Sequence, residues 1–419
     1  MNYILYIFIF VKLTQLHIFQ ESDYKSVFKK AILKNGYINW TFPIYYYIDK
    51  GVYRSKILSV IRYLEKSTCL RFEETQSKKG NMIKYMTSET QCNSLVGKLS
   101  RDKEHEIKLT NGCSRNYGDT AHETLHALGL SHEHARKDRD KYITILKGNI
   151  DDNLYRNFLK DHDGFTFFDI HYDYSSIMQY PKGAFSKNDR NTMEAKNVEP
   201  YNEMMGQSDM ITFNDIKHLN YYYCKCHYFN GQCKNGGYVK EPLCGHCICP
   251  KEFTGDKCER IADRSENCNL KVYNVTETEN LFKGSGNKRC IYHFKTDKDS
   301  RIFLNLTYVQ TRYRSPCISD VGLEIKYLDD KGTTGLCLCG VYKNILLYSQ
   351  GNEVVITYTG LESNSQGNEV VITYTGLESS NWFYGYYKKV LKSIKKEDEI
   401  CYKGKCFIEQ DKKITGNTR

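Results

Sequence analysis

The sequence predicts an α+β multidomain protein, in which a cored domain with a mixed sheet is followed by a small disulfide-rich module and then an all-β sandwich. Cysteine placement marks the boundaries. Up to Tyr223 there are only Cys69, Cys92 and Cys113, whereas twelve of the seventeen cysteines crowd between Cys224 and Cys339. Helix and strand periodicities alternate before that boundary, and strand-like stretches dominate after Cys268. A length of 419 residues allows about three domains of ~150 residues, each with a core of its own.

In the first domain "KILSVIRYLEKST" (56–68) sets Ile57, Val60, Ile61 and Leu64 at helical spacing. "PIYYYID" (43–49) before it is β-prone, and "MIKYMT" and "HEIKLT" after it alternate as strands do. Together they predict a mixed α/β sheet. From Cys226 to Cys258 six cysteines fall close together, around "NGG" at 235–237. So short a segment cannot be held by an apolar core alone. Its cysteines permit fifteen pairings, and Cys244-x-x-Cys247 is also a weak zinc-knuckle pattern. Beyond it, "RIFLNLTYVQ" (301–310) and "VGLEIKYL" (321–328) read as strands among Cys268, Cys290, Cys317, Cys337 and Cys339.

"SQGNEVVITYTGLES" occurs twice without a difference, at 349–363 and 365–379. A sandwich has room for one such core strand, so one copy forms it and the other loops out; the identity marks a recent duplication or an error in the sequence. The tail 391–419 is charged and rich in Lys, with Cys401 and Cys406 placed to close a small loop.

So many cysteines imply a disulfide-forming compartment. "ILYIFIFV" (4–11) has the length of a signal-peptide apolar core, which predicts a signal peptide over 1–20 and a secreted, extracellular protein. No segment approaches eighteen uninterrupted apolar residues, so no transmembrane segment is expected. The sequons at Asn39, Asn274 and Asn305 fit a secreted glycoprotein. The formal net charge is +10, but Lys and Arg are dispersed among acids, as in "SHEHARKDRDKY", which argues against nucleic acid as a partner.

The chemistry lies in "HETLHALGLSH" (122–132). Four residues apart on a helix, His122 and His126 present their imidazoles to one point, with Glu123 beside it. Gly129 can adopt φ > 0 and end the helix, which returns His132 to the same point. Three imidazoles and a water make the open tetrahedral site of one catalytic Zn2+.

"HETLHALGLSHEHARKDRDKY" resembles the extended zinc-binding signature of the astacin family of metalloproteases, a branch of the metzincins. "DYSSIMQYPKGAFS" (173–186) resembles that family's Met-turn. The resemblance implies that Met178 lies beneath the metal, and that Tyr180 ligates zinc at rest and swings away in the transition state. It implies disulfides Cys69–Cys224 and Cys92–Cys113, and a peptidase domain over 31–224. The segment 225–260 resembles an EGF-like module, which implies the pairs Cys226–Cys244, Cys233–Cys247 and Cys249–Cys258. The segment 268–390 resembles a CUB domain, with Cys268 paired to Cys290 and Cys317 to one of Cys337 and Cys339, leaving the other as a spare thiol. The layout is similar to that of nematode astacins.

Two departures stand out. Gln179 replaces the histidine that most members carry between the Met and the Tyr. About ten residues (21–30) form a short pro-segment without a visible latency motif. Cleavage after Lys30 would free Ala31, whose ammonium the family buries against the glutamate matching Glu133.

The function implied is a zymogen-derived, zinc-dependent endopeptidase that cleaves extracellular proteins or peptides. Glu123 serves as general base, and the CUB domain offers contacts to matrix or glycans. The rival reading is a secreted binding or adhesion protein that keeps the scaffold without turnover.

Overall fold

The computed structural model describes residues 32–33 and 39–392, with gaps at 78, 99, 162–164, 167, 197, 225, 227–232, 241–243 and 361–380, together with 399–402 and 405–408. The expected signal peptide, the pro-segment, Ala31 and the second copy of the duplicated stretch lie outside the described residues.

A five-stranded sheet forms the upper part of the first domain from β1 (Ile44–Ile48), β2 (Phe72–Glu74), β3 (Ile83–Thr87), β4 (Asn93–Ser94) and β5 (His105–Leu109). Its order is β2-β1-β3-β5-β4, and only β4 runs antiparallel, at the edge. Two helices cover it, α1 (Arg54–Ser67) and, beyond the one-turn α2 (Asn111–Arg115), α3 (Tyr117–Ala127). Ile57, Val60, Ile61 and Leu64 of α1 are all buried, as their spacing requires of an amphipathic face. Leu125 and Ala121 of α3 enter the same core, with Ile83, Tyr85 and Ile107 of the sheet.

The chain then has little regular structure, apart from short strand pairs such as Ile143–Ile145 with Met193–Ala195. From His132 to Phe158 it runs through short 3-10 turns, and it closes the domain with α4 (Phe213–Tyr223), whose capping box pairs Thr212 with Asp215. The disulfide Cys69–Cys224 ties the end of α4 to the segment after α1, and Cys92–Cys113 ties the edge strand region to α2.

Three disulfides, Cys226–Cys244, Cys233–Cys247 and Cys249–Cys258, hold the next segment, whose own strands are two-residue pairs. The C-terminal part is a sandwich. One sheet contains β6 (Lys271–Asn274), β8 (Arg289–Lys295), β10 (Gly322–Lys326), β11 (Leu336–Leu338) and β13 (Glu353–Thr359), in the order β6-β8-β13-β10-β11. The other contains β7 (Asn280–Ser285), β9 (Ser300–Gln310), β12 (Val341–Tyr348) and β14 (Trp382–Leu391), extended by β15 (Glu399–Tyr402) and β16 (Lys405–Ile408). The first copy of the duplicated stretch supplies β13, the central strand, paired on one side with β8 and on the other with β10. Cys268 is bonded to Cys290 and Cys317 to Cys339, and Cys337 is a buried free thiol.

The sandwich does not stand apart from the first domain. One continuous apolar cluster runs from Tyr172, Tyr174, Tyr201, Met204 and Met205 into Tyr327, Leu336, Leu338 and the sandwich interior.

Candidate metal centre

Helix α3 carries the first two histidines. Asn116 caps it by accepting the Asp119 N–H at 3.1 Å, which satisfies a first-turn donor. The helix ends after Ala127 because Gly129 takes φ +102°. There the Gly129 and Leu130 amides donate back to the His126 and Leu125 carbonyls at 2.8 and 2.9 Å, and the chain turns. This turn brings His132 to the helix. Its ring centroid lies 5.1 Å from that of His122 and 4.6 Å from that of His126.

Two backbone carbonyls fix which ring nitrogens face inward. Ile177 O lies 2.8 Å from His122 Nδ1, and Leu130 O lies 2.7 Å from His126 Nδ1. A carbonyl only accepts, so each Nδ1 carries the proton and each Nε2 keeps its lone pair. The Nε2 atoms of His126 and His132 are 3.1 Å apart, and one nitrogen of each of the three rings lies within 4.8 Å of the others. Tetrahedral zinc with bonds of about 2.0–2.1 Å needs nitrogens roughly 3.3 Å apart. The donor set and its spacing therefore fit one zinc ion. The orientation by backbone carbonyls is the arrangement that metal-ligating histidines ordinarily have.

Glu123 is 3 % exposed and lines the same cavity, of about 210 Å³, as the three histidines and Tyr180. Tyr180 packs its ring on His132, with centroids 4.1 Å apart, and on His134 at the same distance. Asn93 and Ser94 of the edge strand β4 also border the cavity. Gly118 of α3 lies against the 206–208 loop, where an added Cβ would sit 1.8 Å from the Ser208 carbonyl oxygen. Only glycine permits that approach.

The turn bearing Met178 hangs on a buried carboxylate. Asp215 accepts the Ser176 hydroxyl at 2.6 Å and the Ile177 amide at 3.2 Å. Burial raises the Asp215 pKa, and the Ser176 and Thr212 donors oppose the rise. Met178 is 1 % exposed and belongs to the same apolar core as Leu125 and Ala121 of α3. Its carbonyl accepts the Glu133 amide at 2.9 Å, so this turn and the segment after His132 are directly joined.

Glu133 itself is buried, and its Oε1 accepts from Arg136 Nη1 and from the Asp173 amide, both at 2.9 Å. Arg136, 1 % exposed, also grips Asp138 with two bonds of 2.9 Å. Gln179 is buried beside the metal cluster. Its Oε1 accepts the Tyr172 hydroxyl at 2.5 Å and its Nε2 donates to the Tyr180 carbonyl at 3.0 Å. The amide thus fills its place with satisfied bonds. Of the sequons, Asn39 and Asn274 are exposed and Asn305 is partly buried on β9.

Of the residues singled out in the sequence, the three histidines, Glu123 and Tyr180 line one cavity, whereas Met178 is not in its lining and belongs to the apolar core. Sequence reasoning missed Arg136, Asp173 and Asp215. Arg136 stands inside the quoted signature and Asp173 at the head of the quoted turn, but a charged residue in an otherwise solvated run gave no signal of burial.

The family model "Astacin", which describes a family of peptidases, matches residues 33–224. The chain belongs to the astacin family. Its sequence is 32 % identical over 330 residues to zinc metalloproteinase nas-34 of Caenorhabditis elegans, covering 77 % of this chain and 54 % of that protein. It is 33 % identical over 335 residues to zinc metalloproteinase nas-36 of Brugia malayi, covering 76 % of this chain and 56 % of the relative. Among solved structures, high choriolytic enzyme 1, a hatching-enzyme zinc protease of the medaka Oryzias latipes, is 30 % identical. That match covers 49 % of this chain and 99 % of the other, with a TM-score of 0.39. The chain spans about half the length of the curated relatives it matches. The curated relatives are zinc metalloproteinases, and the donor set of the three-histidine cluster fits that ion.

Proposed function

We propose that this protein is a secreted zinc endopeptidase that hydrolyses peptide bonds of extracellular proteins, with His122, His126 and His132 holding the metal. The observation that carries the reading is the convergence of three imidazoles, two of them oriented by backbone carbonyls, on one point of a cavity that Glu123 and Tyr180 also line. A zinc ion held there would supply Lewis acidity to a peptide carbonyl and lower the pKa of its bound water to about 7.

Glu123 then acts as general base. It takes the proton of the attacking water and hands it to the leaving amine, a role worth roughly 10²–10⁴ in rate. Tyr180 packs against His132, and its phenol donates a hydrogen bond to the developing oxyanion. Met178 packs under the site without touching substrate. The edge strand β4, antiparallel and open on its outer side, offers backbone groups along which an extended peptide can pair.

Seven disulfides among the described residues support an oxidising, extracellular setting, and no helix among them is long and apolar enough to cross a membrane. Segments 225–260 and 268–390 serve as EGF-like and CUB modules that bring the catalytic domain to matrix proteins or glycans. The exposed Asn39 and Asn274 are the sequons best placed to carry glycans, with Asn305 less accessible. Removal of residues 21–30 leaves the Ala31 ammonium to join Glu133, beside Arg136.

The test is cleavage of a quenched fluorescent peptide library by protein beginning at Ala31, beside the Glu123→Ala variant and wild type with phenanthroline. Cleavage abolished by both controls supports the reading. A folded wild type that binds zinc and cleaves nothing favours the binding or adhesion rival.

A further inference from the structure

The connection between β10 and β11 carries two adjacent threonines that reach the two segments flanking the Met178 turn. Thr333 Oγ1 accepts from Asn214 Nδ2 at 3.0 Å, and Asn214 adjoins Asp215, from which the turn hangs. Thr334 donates its hydroxyl to Asp173 Oδ2 at 2.9 Å and its amide to the same oxygen at 3.3 Å. Both contacts come from a part of the chain more than a hundred residues away, since Thr334 and Asp173 are 161 apart. The β-sandwich thus reaches past the surface of the peptidase domain to the support of its metal site.

Asp173 is 1 % exposed, and every group it holds leads to the centre. Its Oδ1 accepts the Ser175 amide at 3.0 Å, its carbonyl accepts the Ser176 amide at 3.0 Å, and its own amide donates to Glu133 at 2.9 Å. The Ser176 hydroxyl in turn accepts the Met178 amide at 3.1 Å, and the next carbonyl, Ile177 O, orients His122. Glu133 follows His132 directly. Asp173 therefore joins the approaches to two of the three histidines through its backbone carbonyl and amide, while its carboxylate fixes the residue by accepting from Ser175 and, twice, from Thr334.

Further contacts join the two parts around it. The hydroxyls of Tyr201 and Tyr327 meet at 2.9 Å, Tyr201 stacks on Tyr174 at 4.2 Å, and the Cys337 amide donates to Met204 Sδ at 3.3 Å. Lys217 pairs with Asp330 at 3.7 Å, and Arg314 with Asp209 at 2.6 Å.

We propose that Thr334 is a positioning residue for the metal centre, so that the β-sandwich completes the peptidase domain in addition to any part it takes in targeting. The proposal deepens the zinc-peptidase reading and rests on it for the kinetic arm of its test. Partners behind metal-ligating histidines ordinarily matter by about 10–100-fold in affinity or activity, and Thr334, which acts on them through Asp173 and the 173–177 backbone, belongs at the lower end.

The test uses the full chain and three proteins: wild type, Thr334→Val, which keeps shape and amide but loses the hydroxyl, and Thr334→Ser, which keeps the hydroxyl. Zinc affinity is read by competition with a chromogenic chelator, and kcat and KM by peptide hydrolysis. The expected result is that Thr334→Val binds zinc about tenfold more weakly and loses about tenfold in kcat, with KM within about twofold, while Thr334→Ser stays near wild type. If Thr334→Val does not fold, Thr334→Ala replaces it, and Ser must restore zinc affinity relative to Ala. The proposal is overturned if loss of the hydroxyl leaves zinc affinity and kcat within twofold of wild type, or if the serine variant falls as far as the valine one. Should wild type bind zinc but cleave no peptide, the peptidase reading fails, and the zinc affinities alone decide the role of Thr334.

Discussion

Replacing Arg136 by Met should be among the most damaging substitutions outside the metal cluster. The guanidinium is 1 % exposed and engages Glu133, both oxygens of Asp138 and the Ile170 carbonyl, each at 2.9 Å, over the ring of Tyr172. Burial alone would lower the Arg136 pKa, and the two carboxylates more than reverse it, so the group stays above its ordinary value. Removing one partner of a buried charge network costs about 3–5 kcal/mol, because the remaining charges are left without compensation. At about 2–4 °C per kcal/mol for a unit of 150–250 residues, the peptidase domain should lose about 6–20 °C in Tm. The triple variant Arg136→Met, Glu133→Gln, Asp138→Asn removes the stranded charges and should recover at least half of the loss. The assay is thermal unfolding of the three proteins at one pH and salt concentration. A loss under about 1 kcal/mol for the single variant, or a triple variant no more stable than the single, would refute the reasoning.

Acid, reduction and crowding at the cavity wall probe other parts of the same structure. His105 is buried, with its Nε2 2.9 Å from Ser94 Oγ, and burial lowers its pKa to about 4. The folded state then binds fewer protons than the unfolded one between about pH 4 and 6.5, so stability is full above that window and falls by about 3 kcal/mol as the pH drops through it. Denaturant titrations of His105→Gln across pH 4–7 should show that part of the acid slope removed. Opening the Cys69–Cys224 disulfide by replacing both with Ala frees a loop of 155 residues and should cost up to about 5 kcal/mol, read as a lower urea midpoint. Gly118→Ala drives a methyl against the Ser208 carbonyl and should cost about 1–3 kcal/mol, with reduced peptide turnover because that contact forms a wall of the cavity.

The metal cluster was legible because its information is local. His122 and His126 share a helix face by spacing alone, and Gly129 announces the turn that brings back His132. The strands around 44–48, 83–87 and 105–109 were legible for a similar reason, since alternation reports which face is buried. The supports of the site were not legible. Asp173, Asp215, Asn214 and Thr334 are ordinary polar residues in sequence, and their burial depends on partners up to 161 residues away. Nor could spacing choose between Cys337 and Cys339 as the partner of Cys317. They lie two residues apart, and the structure bonds Cys339 while leaving Cys337 buried beside Met204. The two copies of the duplicated stretch are identical, so no residue could say which becomes the central strand; the first does, its Glu353 end following β12 after a short turn.

The central claim is that one zinc ion held by His122, His126 and His132, with Glu123 beside it, makes this protein a peptidase. It is tested most directly by stripping the metal and following peptide hydrolysis as zinc is returned, in wild type and Glu123→Ala. Wild-type activity should rise linearly and saturate at one zinc per chain, while Glu123→Ala takes up the same single zinc and stays at least about a hundredfold slower. Stoichiometric zinc uptake with no hydrolysis by the folded wild type, or hydrolysis that Glu123→Ala retains, would contradict it.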